Sequence, residues 1–260
     1  MANFDGKTAL IFGIANHNSV AWPITQKLAE QGARLALTYQ ERMEQNVRKL
    51  AATLPGSPLV LPCDVQKDED LDAVFDAVGK DLGGLDILIH SVAYAPTDDL
   101  RGRVSHSSRA GFLTALDISA YSLIAMGKRA EPLMQPRGGG SIVAMTYLGA
   151  ERVVPGYNLM GIAKAALEAS IRYLAWDLGP AGIRVNGISA GPMRTLSARG
   201  VGNINDMFTL IEQVAPLRRN MSQDDVADLA LFLCSEQVRN LTGSIEHLDS
   251  GFHIMGLGTM

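Results

Sequence analysis

Tyr157 and Lys164 are the two residues of this 260-residue sequence whose types and spacing most clearly imply chemistry. They are seven apart, so on a helix of roughly 3.6 residues per turn they share one face, two turns apart. Hydride addition to a carbonyl or enoyl carbon builds negative charge on an oxygen. A phenol can donate to that oxygen, and a nearby ammonium lowers the phenol's pKa and anchors a ribose. A core tyrosine beside a surface lysine has the same spacing, so the pair takes its meaning from the elements that hold it.

Those elements alternate along the chain. Short apolar runs at Thr8–Phe12 and at residues 34–38, 58–61, 85–90, 141–145, 183–188 and 244–248 read as strands buried on both faces. Amphipathic stretches between them read as helices: one ending near Gln31, Asp68–Leu82, one long helix over 107–134, one over 157–178, and one capped by Ser222 with Asp225 closing a capping box. Strand-helix alternation implies parallel pairing through right-handed crossovers. The expected fold is therefore α/β: a single doubly wound, Rossmann-type domain over 1–260 with a seven-stranded parallel sheet. Residues 191–216 lack a strand. They read as an inserted loop or helix, either a substrate lid or a surface connection.

Composition narrows the class. Apolar residues are 47% and charged residues 19%, with a net charge of −4. A mildly acidic globular chain has no general pull on nucleic acid or anionic membrane. Cys63 and Cys234 form no CxxC pair, so neither a zinc site nor a disulfide framework is expected, and no metal. The N-terminal segment lacks the shape of a signal peptide, and no uninterrupted apolar run reaches 18 residues. A cytoplasmic enzyme is the expectation.

A dinucleotide site needs a tight turn after the first strand and a helix N-terminus aimed at the pyrophosphate. Gly13 supplies the turn, although G-x-G-x-x-G is absent. Ser19 is expected to cap the helix and donate to a phosphate, Val20 follows it, and Ala21 is small enough for close packing. Gln40 ends the second strand and meets a ribose 2′-hydroxyl more weakly than a carboxylate would, while Arg42 would meet a 2′-phosphate. NADH is favoured and NADPH stays open. Asp64 and Val65 suit an adenine edge and face. Ser91 and Val92 let backbone approach the ribose.

Over essentially its whole length the chain resembles the short-chain dehydrogenase/reductase superfamily. Its ordinary members carry Tyr-x3-Lys with a serine thirteen residues before the tyrosine. Here those places hold Met160 and Tyr147. Methionine cannot donate a proton. A tyrosine three residues earlier would move its hydroxyl by roughly 4.5 Å along a continuous helix, toward the oxygen of an α,β-unsaturated thioester. Tyr-x6-Lys with a second tyrosine ten residues before the first is similar to the bacterial enoyl-acyl-carrier-protein reductases of the FabI type. Gly13-x5-Ser19-x-Ala21, the segment from His90 to Pro96 and the segment from Ile188 to Leu196 agree with that family.

The resemblance implies roles. Tyr157 would bond the substrate carbonyl, Lys164 would hold the nicotinamide ribose, and Tyr147 would line the site and assist proton delivery as a third catalytic residue. Met193, Thr195, Leu196 and Ser197 would contact the nicotinamide half, and Ala95 would lie beside the thioester. Leu196, Val201, Ile204, Met207 and Phe208 would line an acyl channel. The substrate would be a thioester of acyl carrier protein or coenzyme A, and the assembly a homotetramer. Ala93 stands where the family commonly has glycine. Gly202, Asn205 and Asp206 stand where its lid helix often carries basic residues, while Arg194, Arg199, Arg218 and Arg219 lie nearby.

Overall fold

The run Thr8–Phe12 forms β1, buried at every position. Its side chains alternate between two cores: Ala9 and Ile11 join one, Leu10 and Phe12 the other. A strand buried on both sides must be covered on both faces, which a doubly wound sheet achieves. The computed structural model describes residues 3–195 and 204–256. From β1 the chain runs through α1 (Ala21–Glu30), β2 (Arg34–Tyr39), α2 (Glu44–Ala51), β3 (Leu59–Pro62), α3 (Asp68–Leu82), β4 (Ile87–His90) and α4 (Thr97–Arg101). It continues through α5 (Arg109–Leu116), α6 (Ser122–Met134), β5 (Gly140–Thr146), α7 (Asn158–Leu178), β6 (Ile183–Ala190), α8 (Ile204–Val214), α9 (Gln223–Cys234) and β7 (Ile245–Leu248).

All seven strands pair in parallel, in the order β3-β2-β1-β4-β5-β6-β7. The order reverses between β1 and β4, where Phe12 pairs with His90. Ligands of such sheets bind beyond the carboxyl ends of the strands at that reversal. Gly13 shows how tight the place is. Its φ is +102°, and a Cβ there would lie 2.1 Å from the Ser91 carbonyl oxygen.

Three features depart from the sequence reading. The stretch expected as one helix over 107–134 begins at Arg109, capped by Ser108, and is interrupted by a π turn at Asp117–Tyr121. The wider turn brings Ser119 and Ser122 to the end of β4: Ser119 Oγ bonds Tyr94 backbone groups, and Ser122 Oγ bonds His90. Second, α2 and α4 carry too little apolar pattern to be read from sequence; α2 buries only Val47 and Ala51. Third, the helical run Arg109–Arg137 is long and apolar enough to cross a membrane by length and composition, yet 56% of its most apolar window is buried inside the fold. A core helix has that composition for the same reason. The Ser222–Asp225 capping box forms as expected.

Gly13→Ala should lose about 2–4 kcal/mol of stability, since it meets both left-handed backbone strain and the Ser91 carbonyl. Urea unfolding measures this; a loss under 0.5 kcal/mol, within the usual surface range, would mean that the two strand ends separate easily.

Candidate active site

The end of β5 delivers the first tyrosine. Tyr147 follows Thr146 in extended backbone and is half-buried before a single turn over Leu148–Ala150. Tyr157 is the N-cap of α7, not a member of it; its carbonyl accepts from the N–H groups of Met160 and Gly161. Asn158, next in the chain, has φ +35° and donates from Nδ2 to the carbonyls of Leu100 and Gly102, at 2.6 Å each. The two reactive residues therefore do not share a continuous helix face. The expected 4.5 Å slide along an axis is replaced by a phenol placed by the turn before the helix, pinned to α4 through Asn158. The Tyr147 and Tyr157 rings meet edge to face with centroids 4.9 Å apart. Gly149 makes room for them: a Cβ there would lie 2.3 Å from Tyr157 Cδ1.

Lys164 lies two turns into α7 and is only 5% exposed. Its Nζ donates to the Met145 carbonyl at 2.7 Å. Thr146, the next residue of β5, donates from Oγ1 to Glu168 Oε1 at 2.7 Å. Sequence reasoning missed Glu168. A carboxylate four residues after a lysine looks like an ordinary surface pair until both prove buried.

Burial sets the protonation states. Desolvation, then the neighbouring Tyr147 and Glu168, push the Tyr157 phenol well above its usual range. The expectation that the ammonium would lower it is thus corrected: the low-dielectric interior outweighs any help from Lys164. Burial, with Asp249 adding to it, pushes Tyr147 up to about 12. Both phenols keep their protons at neutral pH and can donate hydrogen bonds. Burial also draws Lys164 down to about 8, opposed by Glu168. His90 is brought down to about 3 by burial and by the charge of Lys164, so it is neutral. Its tautomer follows from its partner. Ser122 Oγ donates to the Ile118 carbonyl at 2.7 Å, so at 2.8 Å it must accept from His90 Nε2–H. Nδ1 keeps a bare lone pair with no partner among the described residues.

The remaining expected residues gather along the carboxyl edge. Gly13 touches Ser91. Ser19 does not cap α1, whose N-cap is Val20 without a side-chain bond. Instead Ser19 Oγ accepts from the N–H groups of Ala15 and Asn16, closing the loop on itself. Both bonds use the oxygen as acceptor, which leaves its proton for an anionic oxygen. Asp64 Oδ1 accepts from the Gln66 N–H, while Val65 and Val92 pack against the same core. Gln40 is exposed at the end of β2. Ala95 is buried in one cluster with Tyr157 and Met160, with Ala93 and Tyr147 against it. Met193 packs on the opposite core, and the Thr195 N–H donates to the Met193 carbonyl. Leu196 and Ser197, like Arg199, Val201 and Gly202, lie outside the described residues. A glycine turn at the strand reversal and a serine proton at the loop suit a pyrophosphate, so these residues fit a dinucleotide.

A small, narrow pocket opens at Tyr147, between the end of β6 and α8; Met207, Leu210, Ile211 and Phe252 supply its apolar wall. Met207 was expected there and Leu210 and Ile211 were not. Phe208 instead stacks under Arg194, whose Nη1 donates to Asn205 Oδ1 at 2.7 Å. Asp249 also lines the pocket and knits the turn after β7 through His253. Cys63 and Cys234 are buried free thiols, pushed up to about 12 by burial, and so are inert.

Known proteins resemble this chain over nearly its whole length. The profile of the family described as enoyl-(acyl carrier protein) reductase matches residues 13–253. The NADH enoyl-acyl-carrier-protein reductase FabI of Bacillus cereus is 52% identical over 98% of this chain and 100% of its own. A FabI of Staphylococcus aureus named for NADPH is 50% identical over 97% of this chain and 99% of its own. A crystal structure of the Bacillus cereus enzyme with NADP+ and an indole naphthyridinone superposes with a TM-score of 0.96, at 52% identity, covering 99% of this chain and all of that one. A structure of the Anaplasma phagocytophilum enzyme with NAD gives 0.94 at 44% identity, covering 100% of this chain and 99% of that one.

The Lys164 shift fixes a sign. The folded state releases this proton near pH 8, while the unfolded chain holds it to 10.5. The associated stability is complete above 10.5 and is lost as pH falls through 8. Lys164→Met should therefore be more stable than the parent at pH 7 and lose roughly 2–3 kcal/mol of that advantage by pH 10.5. Urea unfolding of cofactor-free protein at the two pH values checks this, and a constant difference would contradict it.

Proposed function

The chain belongs to the enoyl-acyl-carrier-protein reductase family, and from that premise we propose that Tyr157, Tyr147 and Lys164 are the residues with which it carries out that family's reaction. The protein is an oxidoreductase that reduces the double bond of an enoyl thioester in fatty acid synthesis, using a nicotinamide cofactor. NADH is the expected donor. Relatives named for NADPH, together with Gln40 in place of a carboxylate, keep NADPH in play.

One observation carries the assignment of roles: two protonated phenols in contact, one of them buried, with a buried ammonium docked on the end of the strand that delivers Tyr147. The bound cofactor supplies a hydride to the carbon distal to the thioester. Negative charge then develops on the thioester oxygen, and a solvent proton taken up at the carbon between the thioester and the reduced carbon completes the saturated product. Tyr157 donates a hydrogen bond to that oxygen from a site that excludes water, where such a donor is worth most. Tyr147 fills the space beside it and faces the apolar pocket, so it orients the acyl chain. Lys164 donates to a ribose hydroxyl. Gly13, Ser19, Val20, Asp64, Val65, Ser91 and Val92 hold the remaining parts of the dinucleotide, with Met193, Thr195, Leu196 and Ser197 at the nicotinamide end. Ala95 flanks the thioester, and the insertion at 191–216 is the lid over the acyl chain.

Acyl carrier protein is the proposed carrier and the cytoplasm the proposed compartment, in keeping with two free thiols. A homotetramer is proposed because α5, α6 and α7 expose apolar side chains that call for cover, among them Leu113, Ile124, Tyr173 and Trp176, the last 81% exposed.

With crotonyl-CoA, the protein should consume NADH, followed as loss of its near-ultraviolet absorbance, and less readily NADPH. No turnover with either cofactor would sink the reading. Tyr157→Phe should slow the reaction roughly tenfold or more while leaving NADH affinity near the parent's; parental rates would remove Tyr157 from its role.

A further inference from the structure

We infer that Glu168 is a positioning residue for Lys164: its carboxylate, clamped to the end of β5, holds the buried ammonium charged and in place for the cofactor. The inference rests on the reading of Lys164 as the ribose ligand. Met145 and Thr146 are neighbours in β5, and Lys164 and Glu168 are one helical turn apart on α7. The Met145 carbonyl takes Lys164 Nζ at 2.7 Å, and the Thr146 hydroxyl donates to Glu168 at 2.7 Å. Two adjacent strand residues therefore grip one turn of the helix, through a cation and an anion that are each 5% exposed. A single neutral carbonyl does not compensate a buried ammonium, which would shed its proton instead. A carboxylate one turn away opposes that loss.

The surrounding charges act on Glu168 in both directions. Arg172 on α7 and His247 on β7 favour the anion, and Glu151, in the turn after β5, disfavours it. Glu151 Oε1 lies 3.0 Å from His247 Nε2. Burial raises the Glu168 carboxyl above its usual range, and the Thr146 hydroxyl opposes the rise. Around Lys164, His90 on β4 is neutral and the Tyr157 and Tyr147 phenols are protonated, so Glu168 is the anion that acts on it.

The test separates charge from hydrogen bonding. NADH affinity is measured by fluorescence titration from pH 6 to 10 for the parent, Glu168→Gln, Thr146→Val and Lys164→Ala, with melting temperatures alongside. In the parent, affinity weakens as pH rises through the Lys164 titration. Glu168→Gln keeps an acceptor for Thr146 and loses the charge. It should move that alkaline limb about one pH unit lower, with a smaller loss on the acid side. Thr146→Val removes the hydrogen bond and keeps the charge, so its limb should stay within about 0.3 of a pH unit of the parent's. An unmoved limb in Glu168→Gln, whatever its melting temperature, overturns the proposal. If that variant does not fold, Glu168→Met, which also removes the charge at similar size, must shift the limb in the same direction, and an unmoved limb there overturns it equally. Lys164→Ala distinguishes the two readings: parental affinity and limb in that variant overturn the ribose role itself, whereas a vanished limb there with an unmoved one in Glu168→Gln overturns only the role of Glu168.

Discussion

A full positive charge held out of water is the constraint around which the proposed site is arranged. Lys164 is almost wholly buried, and a lone ammonium in that setting tends to give up its proton. The end of β5 answers with a carbonyl, and α7 answers with Glu168 one turn on. The π turn before α6 contributes from the other side. It turns Ser122 toward His90 and fixes which imidazole nitrogen carries the proton, while burial and the charge of Lys164 keep that ring neutral.

The same dryness governs the tyrosines. Each phenol keeps its proton because burial penalises the anion, so in the proposed reaction Tyr157 acts as a hydrogen-bond donor and not as a base. A donor fixed in a dry site needs no reorganisation as charge develops on the thioester oxygen. Where the donor stands is decided by backbone outside the helix. Asn158 in left-handed conformation and the tight packing of Gly149 under the ring set Tyr157 ahead of α7. An alcohol dehydrogenase site would place a phenol where Met160 stands.

The sheet was legible in the sequence because strands buried on both faces leave unbroken apolar runs, as in Thr8–Phe12, and strand-helix alternation admits few topologies. Tyr147, Tyr157 and Lys164 were legible as a spaced triplet; the structure places the two tyrosines in contact and buries the lysine against the end of β5. What spacing could not supply was long-range. Ser19 looks like a helix cap, yet it bonds backward into its own loop. The phenol shift had the opposite sign to the expected one, since periodicity carries no information about desolvation. Glu168 passed unnoticed because an i,i+4 lysine-glutamate pair looks alike on a surface and in a core. The π turn leaves no apolar signature, because the face it presents is polar.

The central claim is that this site reduces a carbon-carbon double bond beside a thioester, not the carbonyl itself. The most direct measurement is the position of the label after reaction of crotonyl-CoA with NADH deuterated on its transferable hydrogen. Butyryl-CoA should carry deuterium on the carbon distal to the thioester, with a solvent proton on the carbon between them. Deuterium on the carbonyl carbon, or an alcohol or aldehyde as product, would contradict it.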